Sequence, residues 1–156
     1  MNVQHEEADI HCWAWDYPME KRCRVFLLSG DGPRRMRDII ESKFNVTYTR
    51  SMVNVAGRVE AFGKGADTVY VVMLISEWRN TNQQLAVLAH EVNHLVFSHF
   101  KDRGYHIPLA GHDGNDEELF NNQSEWWMYT MLEALNAPAE EKSEHLWSFN
   151  NETVIP

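Results

Sequence analysis

The chain has 156 residues, of which 44% are hydrophobic and 24% charged, and its formal net charge is -9. This length and balance predict one compact domain with a hydrophobic core rather than a disordered chain. An acidic surface repels phosphate backbones, so we expect no nucleic-acid partner. The longest hydrophobic run, residues 69–75, is far shorter than the roughly 20 residues of a membrane-spanning helix, so we expect no membrane association.

The N-terminal segment and the cysteines indicate where the protein works. The first 13 residues are acidic and lack the basic-then-apolar pattern of a secretory signal, so we expect a cytoplasmic location. Cys12 and Cys23 are too few for a disulfide scaffold and are expected to be free thiols.

The first half of the chain alternates between strand and helix patterns. Residues 22–30 are β-branched and aromatic and end on a glycine, which predicts a strand. Pro33 then suits the first position of a helix, in which hydrophobic residues recur at helical spacing up to Phe44. Residues 53–76 predict a β-hairpin with a glycine-rich turn at 63–67, although the pattern does not tell which strand lies at the sheet edge.

Two long helices follow in the second half. The first opens with Thr81 and Gln84 at capping-box spacing and stops at Gly104. The second covers residues 116–137 and ends before Pro138. We therefore predict a single α+β domain over residues 1–156, with its core at about 13–137 and a tail, 138–156, of unassigned structure.

The first long helix contains the pentapeptide HEVNH at residues 90–94. Residues four apart lie on one helix face, so His90 and His94 point the same way. Two imidazoles at this spacing can bind one Zn²⁺, and the adjacent Glu91 can act as general base toward an attacking water. Burying these three polar groups in a core would be costly without a cation, so the pattern favours a metal site over a purely structural role.

A catalytic zinc usually has three protein ligands, and several residues could supply the third. His99 lies about 140° round the helix from His94 and is disfavoured. Side chains of the loop after this helix can also bind zinc, but no spacing rule selects among them. These residues are His106, His112, Asp113 and Asp116. We favour Glu125, since its aromatic neighbours on the next helix imply burial, and Tyr129 one turn later could orient its carboxylate or donate a hydrogen bond to an oxyanion.

These motifs resemble a known family. The sequence HEVNH on one helix, followed by EWWMY (125–129) on the next, resembles the gluzincin pattern in a small form. With the early WAWDYP (13–18), the chain is similar to small metallopeptidases encoded in tailed-phage genomes. The resemblance implies a zincin-like α+β fold with a small antiparallel or mixed sheet, zinc held by His90, His94 and Glu125, and a place in the host cytoplasm.

Two hypotheses for function follow. The first is a zinc metallopeptidase that cleaves a peptide or amide bond, with Glu91 as general base and Tyr129 as a further catalytic group. An extended peptide substrate could then pair with an exposed strand such as residues 69–75. The second is a non-catalytic, zinc-containing module that binds a host or phage protein, in which His112 or Asp113 would close the metal site.

Overall fold

A computed structural model describes residues 10–18, 20–63, 67–105 and 114–138 of the protein. Four strands form one mixed sheet: β1 (His11–Tyr17), β2 (Glu20–Ser29), β3 (Gly57–Phe62) and β4 (Val69–Leu74). Their spatial order is β1-β2-β4-β3, in which β2 and β4 pair in parallel and the two outer pairs are antiparallel. The predicted α+β class is confirmed.

Helices cover both faces of this sheet. Helix α1 (Pro33–Phe44) packs on one face, where its hydrophobic residues join Phe26 and Val71 in one core cluster. Helices α2 (Asn82–Arg103) and α3 (Gly114–Leu135) pack on the other face, where Leu88 and Trp127 join residues of β2 and β4 in a second cluster. The central strands are thus buried from both sides, as their nearly continuous hydrophobic sequences require.

The hairpin prediction is confirmed, and the structure identifies its edge strand. All six residues of β4 are buried, and β4 lies between β2 and β3. β3 is only partly buried, and its outer side meets no further strand among the described residues. The exposed strand is therefore β3, which settles the question that the sequence left open, and a peptide cannot pair with residues 69–75 because β4 is a central strand.

Helix α2 begins and ends where the sequence predicts. The Thr81 side chain accepts a hydrogen bond from the backbone N–H of Gln84 (3.2 Å), and the Gln84 side chain accepts one from that of Thr81 (3.4 Å). At the other end, Gly104 adopts the left-handed conformation (φ 71°) that ends helices. Helix α3 begins at Gly114, two residues before its predicted start at Asp116.

Three further features of the fold bear on the predictions. Strand β1 was not predicted from the sequence, and it pairs along its length with β2. Cys12 and Cys23 are buried free thiols, as expected. Among the described helices, none combines the length and the hydrophobicity that crossing a membrane requires.

Candidate metal centre

His90 and His94 meet on the exposed face of α2. Their Nε2 atoms lie 3.0 Å apart, and the two rings are nearly perpendicular, at 81°. Two imidazole nitrogens bound to one tetrahedral Zn²⁺ at roughly 2.05 Å would be about 3.3 Å apart. The observed separation is close to this value, and it is also the length of a hydrogen bond between the two rings. Both side chains are open to solvent, so a cation can reach them.

Glu91, between the two histidines in the sequence, is only 5% exposed. It packs against Gly57, at the start of edge strand β3. A Cβ placed on Gly57 would lie 2.9 Å from Glu91 Cγ and 3.1 Å from Glu91 Oε1. The missing side chain of Gly57 therefore lets the backbone of β3 approach the Glu91 carboxyl group.

The surroundings of Glu91 alter its acidity. Burial raises the pKa of Glu91 above its ordinary value, whereas the positive charges of His90, His94 and Arg58 act to lower it. The Arg58 side chain is 18% exposed and comes from the same edge strand as Gly57. A carboxylate whose pKa is raised is a stronger base, which suits it to accept and return a proton.

Glu125 and Tyr129 lie one turn apart on α3, and both are exposed; Tyr129 is 71% exposed. Helices α2 and α3 run antiparallel: Phe100 contacts Phe120 (ring centroids 5.3 Å apart), and Trp78, before α2, donates a hydrogen bond to Asn136, after α3. These contacts place the middle of α3, and with it Glu125, alongside the middle of α2.

The expectation that Glu125 is buried is wrong. The aromatic residues beside it divide between two environments, because Trp127 takes the buried face of α3 while Trp126 is 42% exposed. In the described part of the chain, one trio of His, Cys, Asp and Glu side chains has its ligand atoms within 4.8 Å of one another, and it consists of Glu20, Cys23 and His99. The Glu125 carboxylate and the ring nitrogens of His90 and His94 therefore do not all lie within 4.8 Å of one another in this structure.

The trio around His99 is an ion-pair network. The carboxylate of Glu20 accepts hydrogen bonds from Arg103 Nε (3.0 and 3.2 Å) and lies 3.1 Å from His99 Nε2. The His99 ring, only 2% exposed, also stacks on Tyr17 with centroids 3.7 Å apart. Burial raises the pKa of the Cys23 thiol to about 12, so the thiolate that a metal needs is disfavoured.

Arg103 already balances the charge of Glu20, so this network does not need a cation. The guanidinium group of Arg103 would also repel a cation. We therefore assign the trio a structural role in tying the start of β2 to the end of α2. His99 takes no part in the His90–His94 site, as the helical geometry predicted. Of the loop groups, His106, His112 and Asp113 lie outside the described residues, as does the side chain of Asp116.

Sequence reasoning missed the residues of β3 that adjoin Glu91. A glycine inside a strand pattern often marks a close approach of another group, and Gly57 carried that signal. No sequence signal pointed to Arg58, since its place beside Glu91 depends on how β3 packs against α2.

Comparison with known proteins gave no match: no family model, no curated protein and no solved structure is significantly similar to the chain. Function is therefore inferred from the chemistry of the site alone.

Proposed function

We propose that the protein is a zinc-dependent hydrolase, specifically a gluzincin-like metallopeptidase with a zincin-like fold. The observation that carries this proposal is the pair of exposed imidazole nitrogens 3.0 Å apart, with the buried carboxyl group of Glu91 on the same helix. Two neutral nitrogen ligands and an adjacent base are the groups that zinc-assisted hydrolysis requires.

Each residue of the site has a distinct role in this proposal. His90 and His94 would hold zinc, and the Glu125 carboxylate would complete the ligand set. Zinc, when bound, would polarise the scissile carbonyl and make water a better nucleophile at neutral pH. Glu91 would take the proton from the attacking water and pass it to the leaving nitrogen. Tyr129 would donate a hydrogen bond to the oxyanion.

The edge strand supports a peptide as the substrate. The outer side of β3 carries backbone N–H and C=O groups that meet no strand in the described chain. An extended peptide can add to such an edge through main-chain hydrogen bonds. Because Gly57 at the start of β3 adjoins Glu91, a peptide paired with this strand would pass close to the general base.

The test is zinc content measured together with peptide hydrolysis. Wild-type protein should bind zinc at one equivalent and cleave a peptide library, whereas Glu91→Gln should keep the zinc and lose hydrolysis by about 10²-fold or more. Glu118→Gln, a substitution of an exposed glutamate on α3, is the matched control and should change neither quantity. Wild-type protein that takes up no zinc would contradict the proposal.

A second candidate function is a non-catalytic module that binds another protein. It is favoured by three aromatic side chains exposed on α2 and α3: Phe97 (43%), Trp126 (42%) and Tyr129 (71%). Exposed aromatic residues are enriched at protein interfaces. In this case Glu91→Gln would leave partner binding intact, whereas Trp126→Ala would weaken it.

A further inference from the structure

Helix α3 exposes two large aromatic side chains on one side. Trp126 is 42% exposed and Tyr129 is 71% exposed. The exposed residues Glu125 and Glu133 share this side, since successive helical residues are about 100° apart and all four project within an arc of about 100°. We call these four residues the exposed α3 face.

The position of Trp126 is fixed by the core. Its ring packs edge-on against Trp127, with the ring centroids 4.7 Å apart and the ring planes at 87°. Trp127 is fully buried in the core cluster that α2 and α3 share with the sheet. An aromatic side chain that is already held in place loses little conformational freedom when a partner binds, and tryptophan and tyrosine are enriched at protein interfaces. The exposed α3 face therefore suits contact with another protein.

The charge of α3 indicates what that partner carries. The helix contains five acidic residues and no basic one. Neither Glu125 nor Glu133 forms an ion pair with any residue that the structure describes. This face therefore attracts cationic groups, and it repels phosphate backbones and anionic lipid surfaces.

The spacing of the two carboxylates indicates the shape of the partner. Glu125 and Glu133 are eight residues apart, which is about 12 Å along the helix, and both aromatic side chains lie between them. A single small cation cannot contact both carboxylates. Two basic side chains seven residues apart on a partner helix are separated by about 10.5 Å, so they can reach both, and apolar side chains between them would pack on Trp126 and Tyr129.

We propose that the exposed α3 face docks a basic amphipathic helix of another protein, with arginine or lysine side chains paired to Glu125 and Glu133. This inference goes beyond both functions considered above, since neither specifies the charge or the shape of a partner. Because Glu125 is also the proposed third zinc ligand, a docked helix would compete with zinc for its carboxylate. That consequence rests on the proposed function, whereas docking itself does not.

The first experiment is calorimetric titration of the full-length protein with a synthetic amphipathic peptide. The peptide has about 16 residues of leucine, alanine and arginine, with arginines at heptad spacing, and spans roughly 24 Å as a helix. It should bind at one equivalent, and salt at about 0.5 M should weaken binding by about fivefold or more because the screening length falls to about 4 Å. A matched peptide with glutamine in place of arginine should bind about fivefold more weakly or less, and one with glutamate should not bind.

The second experiment locates the binding site with paired variants. Glu133→Lys should weaken binding of the arginine peptide by about fivefold or more. Asp38→Lys makes the same change in net charge at an exposed position of α1, on the other face of the sheet, and is the matched control. Trp126→Ala should weaken binding by about tenfold, whereas Val53→Ala, which trims an exposed hydrophobic side chain outside α2 and α3, should not.

The urea midpoint of each variant establishes that it is folded. If Trp126→Ala loses stability together with its contact to Trp127, Tyr129→Ala tests the same face, since Tyr129 is 71% exposed and should also bind the peptide more weakly.

Four results would overturn the proposal. One is equal affinity for the arginine and glutamine peptides, and another is an equal loss of affinity in Glu133→Lys and Asp38→Lys, which would mean that the peptide responds to net charge alone. The third is wild-type affinity in both aromatic variants. The fourth is concentration-dependent sedimentation of the protein alone that Tyr129→Ala abolishes, since it would assign this face to a second copy of the chain. Zinc content and hydrolysis enter none of these measurements, so failure here is distinguishable from failure of the peptidase proposal.

Discussion

Gly57 determines how closely edge strand β3 can approach α2. An added Cβ would lie 2.9 Å from Glu91 Cγ and 3.0 Å from Val87 Cγ1, so one of these side chains would have to move. We expect Gly57→Ala to lower the free energy of unfolding by about 1–3 kcal/mol, as in other overpacked sites. Displacement of Glu91 should also lower kcat while zinc content stays unchanged. Urea denaturation and metal analysis measure these two effects.

Two further variants test the reason given for this loss. The double variant Gly57→Ala/Val87→Ala lacks one of the two close contacts. The loss of stability caused by Gly57→Ala should therefore be smaller when it is measured against Val87→Ala than when it is measured against the wild-type protein. Ala61→Ser changes an exposed position on the same strand and should alter stability by no more than about 0.5 kcal/mol. If Gly57→Ala proves as stable as Ala61→Ser, the close packing of β3 on Glu91 does not constrain this position.

His99 and Glu20 should make stability depend on pH. Burial lowers the pKa of His99 below its ordinary 6.5, so the unfolded chain takes up a proton at a higher pH than the folded protein does. The stabilising contribution of the neutral ring is therefore complete above about pH 6.5 and is lost progressively as pH falls below it. Burial acts to raise the pKa of Glu20, but hydrogen bonds from Arg103 and His99 outweigh it and lower that pKa from 4.5.

The two groups therefore act in successive pH ranges. Glu20 contributes stability above its unfolded pKa, and this contribution is lost as pH falls through its lowered folded value. We expect His99→Gln to flatten the fall in stability that begins below about pH 6.5, and Glu20→Gln to flatten the fall that begins below about pH 4.5. Urea denaturation at a series of pH values measures both. An unchanged pH profile in His99→Gln would show that this ring does not titrate with unfolding.

The capping box at the start of α2 was predictable because its interactions are local. Thr81 and Gln84 are three residues apart, so each satisfies the other's free backbone N–H group without help from the rest of the fold. We expect Thr81→Ala to cost about 1 kcal/mol in the free energy of unfolding, whereas Thr81→Ser, which keeps the hydroxyl group, should cost much less. Equal urea midpoints for the two variants would mean that the cap contributes nothing measurable.

The order of the strands depended on packing that local patterns describe less well. The edge strand was left open, although β4 carries six consecutive hydrophobic residues, a pattern typical of a strand buried on both faces. That run favoured a central position for β4 and therefore an outer one for β3. Strand β1 went unpredicted because β propensity depends strongly on the partner strand, and His11 and Asp16 interrupt its hydrophobic sequence.

The candidate site shows the same division between local and long-range information. The approach of His90 to His94 follows from the helical repeat alone, so the sequence predicted it correctly. The exposure of Glu125 depends on the rotation of α3 against α2, which buries Trp127 and turns Trp126 toward solvent. Neighbouring aromatic residues were therefore a poor guide to which of the two faces of α3 would be buried.

Zinc should stabilise the whole domain if α2 and α3 both supply ligands. A ligand that binds only the folded state at about 100 times its Kd adds roughly 2.7 kcal/mol to the free energy of unfolding. We expect zinc to raise the unfolding temperature of wild-type protein and EDTA to reverse the change. His90→Ala and His94→Ala should abolish this response, and Glu91→Gln should retain it because Glu91 is not a ligand.

Glu125→Ala is the decisive variant for the third ligand, since its carboxylate is exposed and lies apart from the two imidazole groups in this structure. Removing a true ligand should shrink the zinc-dependent rise in unfolding temperature and weaken zinc affinity. Glu118→Ala removes another exposed carboxylate two turns earlier on α3 and should leave the response at its wild-type size. If the two alanine variants respond alike, the third ligand lies elsewhere and the gluzincin-like assignment of Glu125 is wrong.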